Sequence, residues 1–299
     1  MHYNIHNDQK FISISAPLTM KLLTRSLALV YSVGLFSTLV IFEQSNARAQ
    51  RVDFYIERGV NKANNGDIEG AIKEYNKAIE MNPKSSQAYY NRAYDKARGK
   101  DLIGAIEDYN KAIQLSPNDA DAFYNRGNAK SHLKKYKDAI FDYSKAIGIN
   151  PNYADAFYKR ANSKSNLKDY QSSIADYSQA IEIKPNHSNA YFNRAYSKNK
   201  IKDLIGAIKD YNKVIKMNSK YIDAYYNRGS IKYRLGDYIG ALRDYTKTIE
   251  ENPKHINAYL NRGITKEILS DMKGACSDWK EASRLGVQRA SNWYMTQCE

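Results

Sequence analysis

Pro83, Pro117, Pro151 and Pro185 follow one another at intervals of 34 residues. The next interval falls on Ser219 and the one after on Pro253, so five of the six prolines in the chain share one lattice. A fixed period of this size marks a chain of small supersecondary units, each unable to bury its apolar face alone and each completed by its neighbours. Counting back from the lattice divides residues 52–289 into seven units: 52–85, 86–119, 120–153, 154–187, 188–221, 222–255 and 256–289. Positions below are numbered within a unit.

The columns of this alignment say what each unit needs. Position four is always aromatic (Tyr55, Tyr89, Phe123, Phe157, Tyr191, Tyr225, Tyr259), and position eight is always Gly or Ala (Gly59, Ala93, Gly127, Ala161, Ala195, Gly229, Gly263). Position twenty is small in every unit, and position twenty-four is Tyr until Trp279 replaces it in the last. Small residues at eight and twenty let two antiparallel helices approach closely while the rings fill the flanks. Position sixteen is Asp in six units (Asp67, Asp101, Asp169, Asp203, Asp237, Asp271), where it predicts the N-cap of the second helix. The lattice proline should end that helix, since the residue before it is pushed out of helical geometry.

A 34-residue helix–turn–helix unit with these residues at these offsets resembles the tetratricopeptide repeat. The resemblance covers residues 52–289, with departures at Ser219 (for Pro), at Val214 and Thr248 (for the usual small residue) and in a looser first unit. It implies an all-α fold: a right-handed superhelical solenoid of tandem antiparallel helix pairs, first helices lining a concave groove and second helices on the convex side. Val287, Ala290, Ser291, Tyr294 and Cys298 share one helical face, so residues 290–299 are expected to form a capping helix.

In the family, positions seven and eleven are usually Leu and Tyr. Here position seven is Arg in all seven units (Arg58, Arg92, Arg126, Arg160, Arg194, Arg228, Arg262) and position eleven is Lys in all seven. Cations on a packing face need an anion. Position twenty-three is acidic every time: Glu74, Asp108, Asp142, Asp176, Asp210, Asp244, Asp278. Antiparallel helices bring seven near twenty-three, which predicts a structural ion-pair ladder with one rung per repeat. The competing reading is that the cations bind an anionic ligand.

By analogy with the family, positions two, five, six, nine, twelve and thirteen of the first helix line the groove. The candidate contact residues are Tyr90, Asn91, Tyr124, Asn125, Tyr158, Phe192, Asn193, Tyr226 and Asn227. Amide side chains can pair with both the N–H and the C=O of a bound peptide, and rings can bury its side chains. Equally, the rings could half-pack between repeats and the amides could satisfy helix surfaces. Position two is mostly Asp or Asn (Asp121, Asp155, Asn189, Asp223), which makes part of the groove acidic. The Lys of position five by which some co-chaperones of the family grip a terminal carboxylate is replaced here by rings, so that activity does not carry over. Lysines at position twenty-six (Lys77, Lys111, Lys145, Lys213, Lys247) fall on the second helix, as a solvated face or as an attraction for an anionic envelope surface.

The chain has 299 residues, 46 Lys+Arg against 32 Asp+Glu, and a net charge of +14. Acids are interspersed with the bases throughout, which weakens a nucleic-acid reading. Ser26 to Phe42 carries no charge, follows Lys21 and Arg25, and precedes Ala47-Arg48-Ala49, the pattern of a secretory signal peptide over residues 1–49 with Met1 or Met20 as start. A retained membrane anchor at 26–42 is the alternative. Either way the repeats are expected outside the cytoplasm, in the periplasm, the cell envelope or the extracellular space. Cys276 and Cys298 are the only cysteines, and in an exported chain they suggest a disulfide between cap and last repeat, with two buried free thiols as the alternative. The five histidines have no metal-ligand spacing and no phosphate loop or nucleophile elbow is present. The expected function is a non-enzymatic scaffold without cofactor or metal, binding an unidentified protein or peptide in its groove. Nucleic-acid binding through the basic faces and self-association of an architectural envelope protein are the alternatives.

Overall fold

The computed structural model of the chain describes residues 43–299, so the apolar run at 26–42 lies outside the described residues. The chain divides at Lys84/Ser85 into two compact units. In the first, α1 (residues 43–64) pairs with α2 (Ile68–Met81). Residues 43–51 of α1 are exposed, and the cut expected before Gln50 falls inside this helix. Arg48 Nε donates to the carbonyl of Met81 at 2.7 Å.

The second unit contains six helix pairs and a last helix. The pairs are α3 (Ser86–Arg98) with α4 (Leu102–Leu115), α5 (Ala120–His132) with α6 (Tyr136–Ile149), and α7 (Ala154–Asn166) with α8 (Tyr170–Ile183). They continue with α9 (Ser188–Lys200) and α10 (Leu204–Met217), α11 (Ile222–Arg234) and α12 (Tyr238–Glu251), and α13 (Ile256–Ile268) and α14 (Met272–Arg284), before α15 (Gln288–Gln297). Each helix packs first on its partner and then on the first helix of the following pair. The described residues form an all-α repeat of helix pairs without strands.

Local chemistry sets the boundaries. The six aspartates of position sixteen each accept from a backbone N–H three residues on, as Asp101 does from Gly104 at 2.9 Å. In the third unit Lys135 holds the place and no side chain caps α6. The turn before it needs one left-handed residue, supplied by Gly66 and Gly236 but also by Lys100, Lys134, Lys168, Lys202 and Ser270 at φ 58–69°. The second helices stop just before the lattice proline, yet α10 stops at the same place with Ser219 there. The second device is Asn218, whose Oδ1 accepts from the Lys220 N–H at 3.0 Å, as Asn82, Asn150 and Asn252 do for the N–H two residues on. Proline is therefore one of two stop signals, and either suffices.

The core is a column of small residues faced by rings. Ala88, Ala122, Ala156, Ala190, Ala224 and Ala258 at position three are fully buried, a column that the sequence reading did not single out. Tyr75, Tyr109, Tyr143, Tyr177, Tyr211, Tyr245 and Trp279 at position twenty-four are buried against position eight. A Cβ on Gly127 would lie 2.8 Å from the Tyr143 ring, so glycine is required there for the close approach. The Thr248 departure is satisfied within its helix: its buried hydroxyl donates to the Asp244 carbonyl at 2.9 Å.

Candidate functional site

The structure brings position seven, position eleven and position twenty-three of each repeat together. Arg126 donates through Nε and Nη2 to the two oxygens of Asp142, at 2.9 and 2.6 Å, while Lys130 Nζ lies 2.8 Å from Oδ2. The same triad recurs at Arg92–Asp108–Lys96, Arg160–Asp176–Lys164, Arg194–Asp210–Lys198, Arg228–Asp244–Lys232 and Arg262–Asp278–Lys266. In the first repeat Arg58 and Lys62 both reach Glu74, whose carboxyl the Lys62 hydrogen bond holds below its ordinary range. The acids are buried and the cations only partly so: Asp142 is wholly enclosed, whereas the Arg126 side chain is 12% exposed.

Each rung does more than pair charges. The third guanidinium nitrogen reaches position twenty-five of the preceding repeat: Arg126 to Asn110, Arg160 to Ser144, Arg194 to Ser178, Arg228 to Asn212 and Arg262 to Thr246, at 2.6–3.3 Å. Its flat face rests on the position-four ring of its own repeat, 5.3 Å from the centroid for Arg126 over Phe123. A rung thus closes a helix pair and pins it to the one before. Two cations share one carboxylate, so neutralisation is partial, and the rungs leave one positive charge in every repeat. The 34-residue spacing predicts the Arg–Asp pair, whereas the lysine and the position-twenty-five acceptors join the rung through side-chain reach.

The aromatic residue at position five is clamped between rings of its own repeat. Phe192 stacks on Tyr221 at 5.1 Å and meets Tyr211 at 5.5 Å. Tyr124 lies between Tyr143 and Tyr153, Tyr158 between Tyr177 and His187, and Tyr226 between Tyr245 and His255. The outer partner is position thirty-four, which also reaches position two: the Tyr153 hydroxyl donates to Asp121 at 2.5 Å and Tyr221 to Asn189 at 3.3 Å. His187 and His255 use Nδ1 to cap the following helix. The asparagines of position six stitch neighbouring repeats, Asn125 donating to the Tyr90 hydroxyl at 2.9 Å, Asn193 to Tyr158 and Asn261 to Tyr226 at 3.2 Å. Asn91 accepts from Gln87 within its own helix. Burial pushes the Tyr90 hydroxyl up to about 12, with Asp121 and Asp119 adding to it.

Among the described residues, concavities open between successive pairs. One, about 550 Å³, spans α5, α7 and α9 and is lined by Asn128, Ser131, His132, Tyr136, Tyr143, Lys159, Asn162, Ser165, Asn166, Tyr177, Phe192, Asn193 and Tyr196. A second, about 540 Å³, lies between α3 and α5 and includes Tyr94, Arg98, Asn125, Asn128 and His132. A third, about 220 Å³, lies between α11 and α13 around Tyr233, Arg234, Asn261 and Ile264. Of the contact residues expected from sequence, Phe192 and Asn193 line the first and Asn125 the second. Tyr90, Asn91, Tyr124, Tyr158, Tyr226 and Asn227 are half-buried and line none of the three. The concave lining falls instead mainly on positions nine, twelve and thirteen, with the buried Tyr143 and Tyr177 beneath. Tyr143 and Tyr177 donate to Asn128 and Asn162 at 2.9 and 2.7 Å, so the floor is a network of amides and phenols. The family analogy named positions nine, twelve and thirteen, but the amides and hydroxyls there do not form one uniform column that would have singled them out.

At the end of the chain α15 covers α14. Ala290 is buried, Trp293 meets Trp279 at 5.4 Å, and Cys276 and Cys298 are joined as a disulfide. Trp293 belongs to this contact and lies outside the helical face expected from Val287, Ala290, Ser291, Tyr294 and Cys298. Among the described residues no cluster of His, Cys, Asp or Glu has the arrangement of a metal site, and no helix is long and apolar enough to cross a membrane. The concave lining offers amide, hydroxyl and aromatic groups together with Lys159 and His132.

A family profile described as tetratricopeptide repeat matches residues 120–153, 154–187 and 222–255. A second, described as TPR repeat, matches 63–94, 99–131 and 196–236, and the two together span more than half of the chain. An uncharacterised protein of Methanocaldococcus jannaschii is 41% identical over 41 residues, 14% of this chain and 48% of that protein, so the match spans about half the length of this curated relative. Among solved structures the chain is similar to YrrB, described as a TPR protein with an unusual peptide-binding site, at 26% identity and TM-score 0.57 over 62% of this chain and 95% of that one. It is similar to MamA at 26% identity and TM-score 0.53, over 54% and 95% of the two chains. The C-terminal part of a TPR repeat-containing protein of Cytophaga hutchinsonii, 17% identical, shares the fold at TM-score 0.70 over 79% and 98%. With its helix pairs, its 34-residue period and these matches, the chain belongs to the tetratricopeptide repeat family, a scaffold fold whose members generally bind protein partners.

Proposed function

We propose that the chain is an exported, non-enzymatic scaffold that holds a polypeptide segment in the concavity across α5, α7 and α9. The observation that carries this reading is the lining itself, with amides and hydroxyls from three successive repeats around about 550 Å³ and the rings of Phe192 and Tyr196 at one side. Asn128 and Asn162 have amide N–H groups and Asn166 has its Oδ1 to offer an extended main chain, and the rings can cover its apolar side chains. The similarity to YrrB, which is described as having a peptide-binding site, supports the same reading. Export is supported by the leader pattern and by the disulfide, since such bonds persist in oxidising compartments.

The test is capture from the native host with wild-type protein and with Asn166→Ala plus Tyr196→Ala, two substitutions at the rim of the concavity, followed by hydrogen exchange on the captured complex. A polypeptide lost by the variant, with protection confined to α5, α7 and α9, is the expected result. Equal capture by both would move binding away from this concavity. Export is tested by alkylating thiols in intact cells: a chain in which Cys276 and Cys298 react freely would overturn it.

A further inference from the structure

Over residues 85–299 the asparagine column of position six is broken once, and the break faces the concavity across α5, α7 and α9. Position six is Asn91, Asn125, Asn193, Asn227 and Asn261, but in the fourth repeat it is Lys159. Asn125, Asn193 and Asn261 each donate to the tyrosine hydroxyl of the preceding repeat, whereas Lys159 makes no such bond to Tyr124. A stitch between repeats is given up here, and a cation stands in its place.

That cation is unlike the lysines of the rungs. Each rung lysine has a carboxylate oxygen within 3 Å, while among the described residues none lies within 4 Å of Lys159 Nζ. Its one close partner is the Tyr158 ring, 6.0 Å away, and the residue is half-buried. An ammonium that lines a concavity with no carboxylate in contact gains from any ligand that brings one. Asn162, one turn on, already accepts at Oδ1 from Tyr177 and from Asn193 at 3.0 Å, so the group it has left to offer is its amide N–H pair. Asp155, one turn before Lys159 on α7, turns to His187 at 3.8 Å, so the groups left in the concavity beside the ammonium are neutral.

We infer that Lys159, with the Asn162 amide beside it, seats a carboxylate side chain of the bound polypeptide, so that the concavity selects a segment carrying Asp or Glu next to an apolar residue that meets Phe192 and Tyr196. A monoanion fits one ammonium. A phosphate dianion would call for a second cation, and the guanidinium groups of Arg126, Arg160 and Arg194 are all engaged with their own aspartates. The net charge of +14 favours an acidic partner from a distance as well.

This inference rests on the peptide-binding reading, and the experiment separates the two. Random twelve-residue peptides with amidated C-termini are selected on the full chain, alongside a library with free C-termini. The expected result is enrichment of Asp or Glu at one fixed place in the amidated pool. Affinity should fall about tenfold or more on Lys159→Asn, and about as much when the enriched acid becomes its amide, with no further loss when both changes are combined. Lys159→Asn installs the residue of five other repeats and should fold as the wild type does. Selected peptides without an acid preference, or with unchanged affinity for Lys159→Asn, would overturn the inference and leave the peptide-binding reading standing. Selection from the free-terminus pool alone would assign the carboxylate to the chain end and also overturn it. No selection from either pool would remove both readings.

Discussion

Asp142→Asn tests the rung that gives this repeat its rigidity. Asp142 is fully enclosed and accepts from Arg126 Nε, Arg126 Nη2 and Lys130 Nζ, all within 3 Å. The amide keeps the shape but removes the charge, leaving two cations against a neutral group. Breaking a buried pair in this way costs about 3–5 kcal/mol. Arg126 and Lys130 retain 12% and 18% side-chain exposure, so water can reach them in part and the expected loss sits near the lower figure, about 3 kcal/mol. Repeat arrays do not unfold as one two-state unit, so the loss should be read locally. Hydrogen exchange of α5 and α6 amides, with α11 and α12 as the internal reference, gives the opening free energy of the affected repeat. Replacing the whole rung (Arg126→Leu, Lys130→Met, Asp142→Leu) should recover most of the loss, because no charge is then stranded. A cost for Asp142→Asn well under about 1 kcal/mol, or a triple variant no better than the single one, would refute the argument that stranded charge sets the magnitude.

Lys168 sits at φ 64° in the turn between α7 and α8, where glycine is unstrained. Lys168→Gly should therefore raise the local opening free energy by about 0.5–1 kcal/mol, while Ala175→Gly, exposed within α8, should lower it by about 1 kcal/mol from helix propensity alone. Cys298→Ser opens a bridge across a sequence separation of 22, and the chain-entropy account gives a loss of about 3 kcal/mol confined to α14 and α15. Exchange protection in α5–α8 should not change. His187 is held below its ordinary pKa of 6.5 by burial, with Asp155 opposing. Its contribution to stability is therefore complete above pH 6.5 and is lost as pH falls through the lowered folded value. Urea midpoints should decline over that window in the wild type and less so in His187→Asn, which can cap α9 through Oδ1 without titrating.

The rungs and the groove differ in how far they could be read beforehand. Arg126 and Asp142 declare themselves because opposite charges recur at a spacing that antiparallel helices convert into contact. The second ligand of each acid, Lys130 and its equivalents, was visible as a column but had no assigned partner. One carboxylate accepting two cations is a fact of side-chain reach rather than of spacing. The groove residues were harder. Tyr124, Tyr158 and Tyr226 repeat as regularly as a binding column would, yet they repeat because each is clamped between position twenty-four and position thirty-four. Regularity marks what every repeat needs, and that is mostly packing.

The amino-acid sequence by itself determined the period, the helix pairs, their caps and the charge pairing, because these follow from local propensity and from contacts repeated at a constant interval. Tertiary structure decided which polar groups face the concavity, because that depends on how much of each amide's bonding capacity its neighbours consume. Asn193 and Lys159 stand in the same column of the sequence. Asn193 donates to Tyr158 and Asn162, while Lys159 has no carboxylate beside it, and only the packed helices distinguish a position that is satisfied from one that still has an interaction to offer.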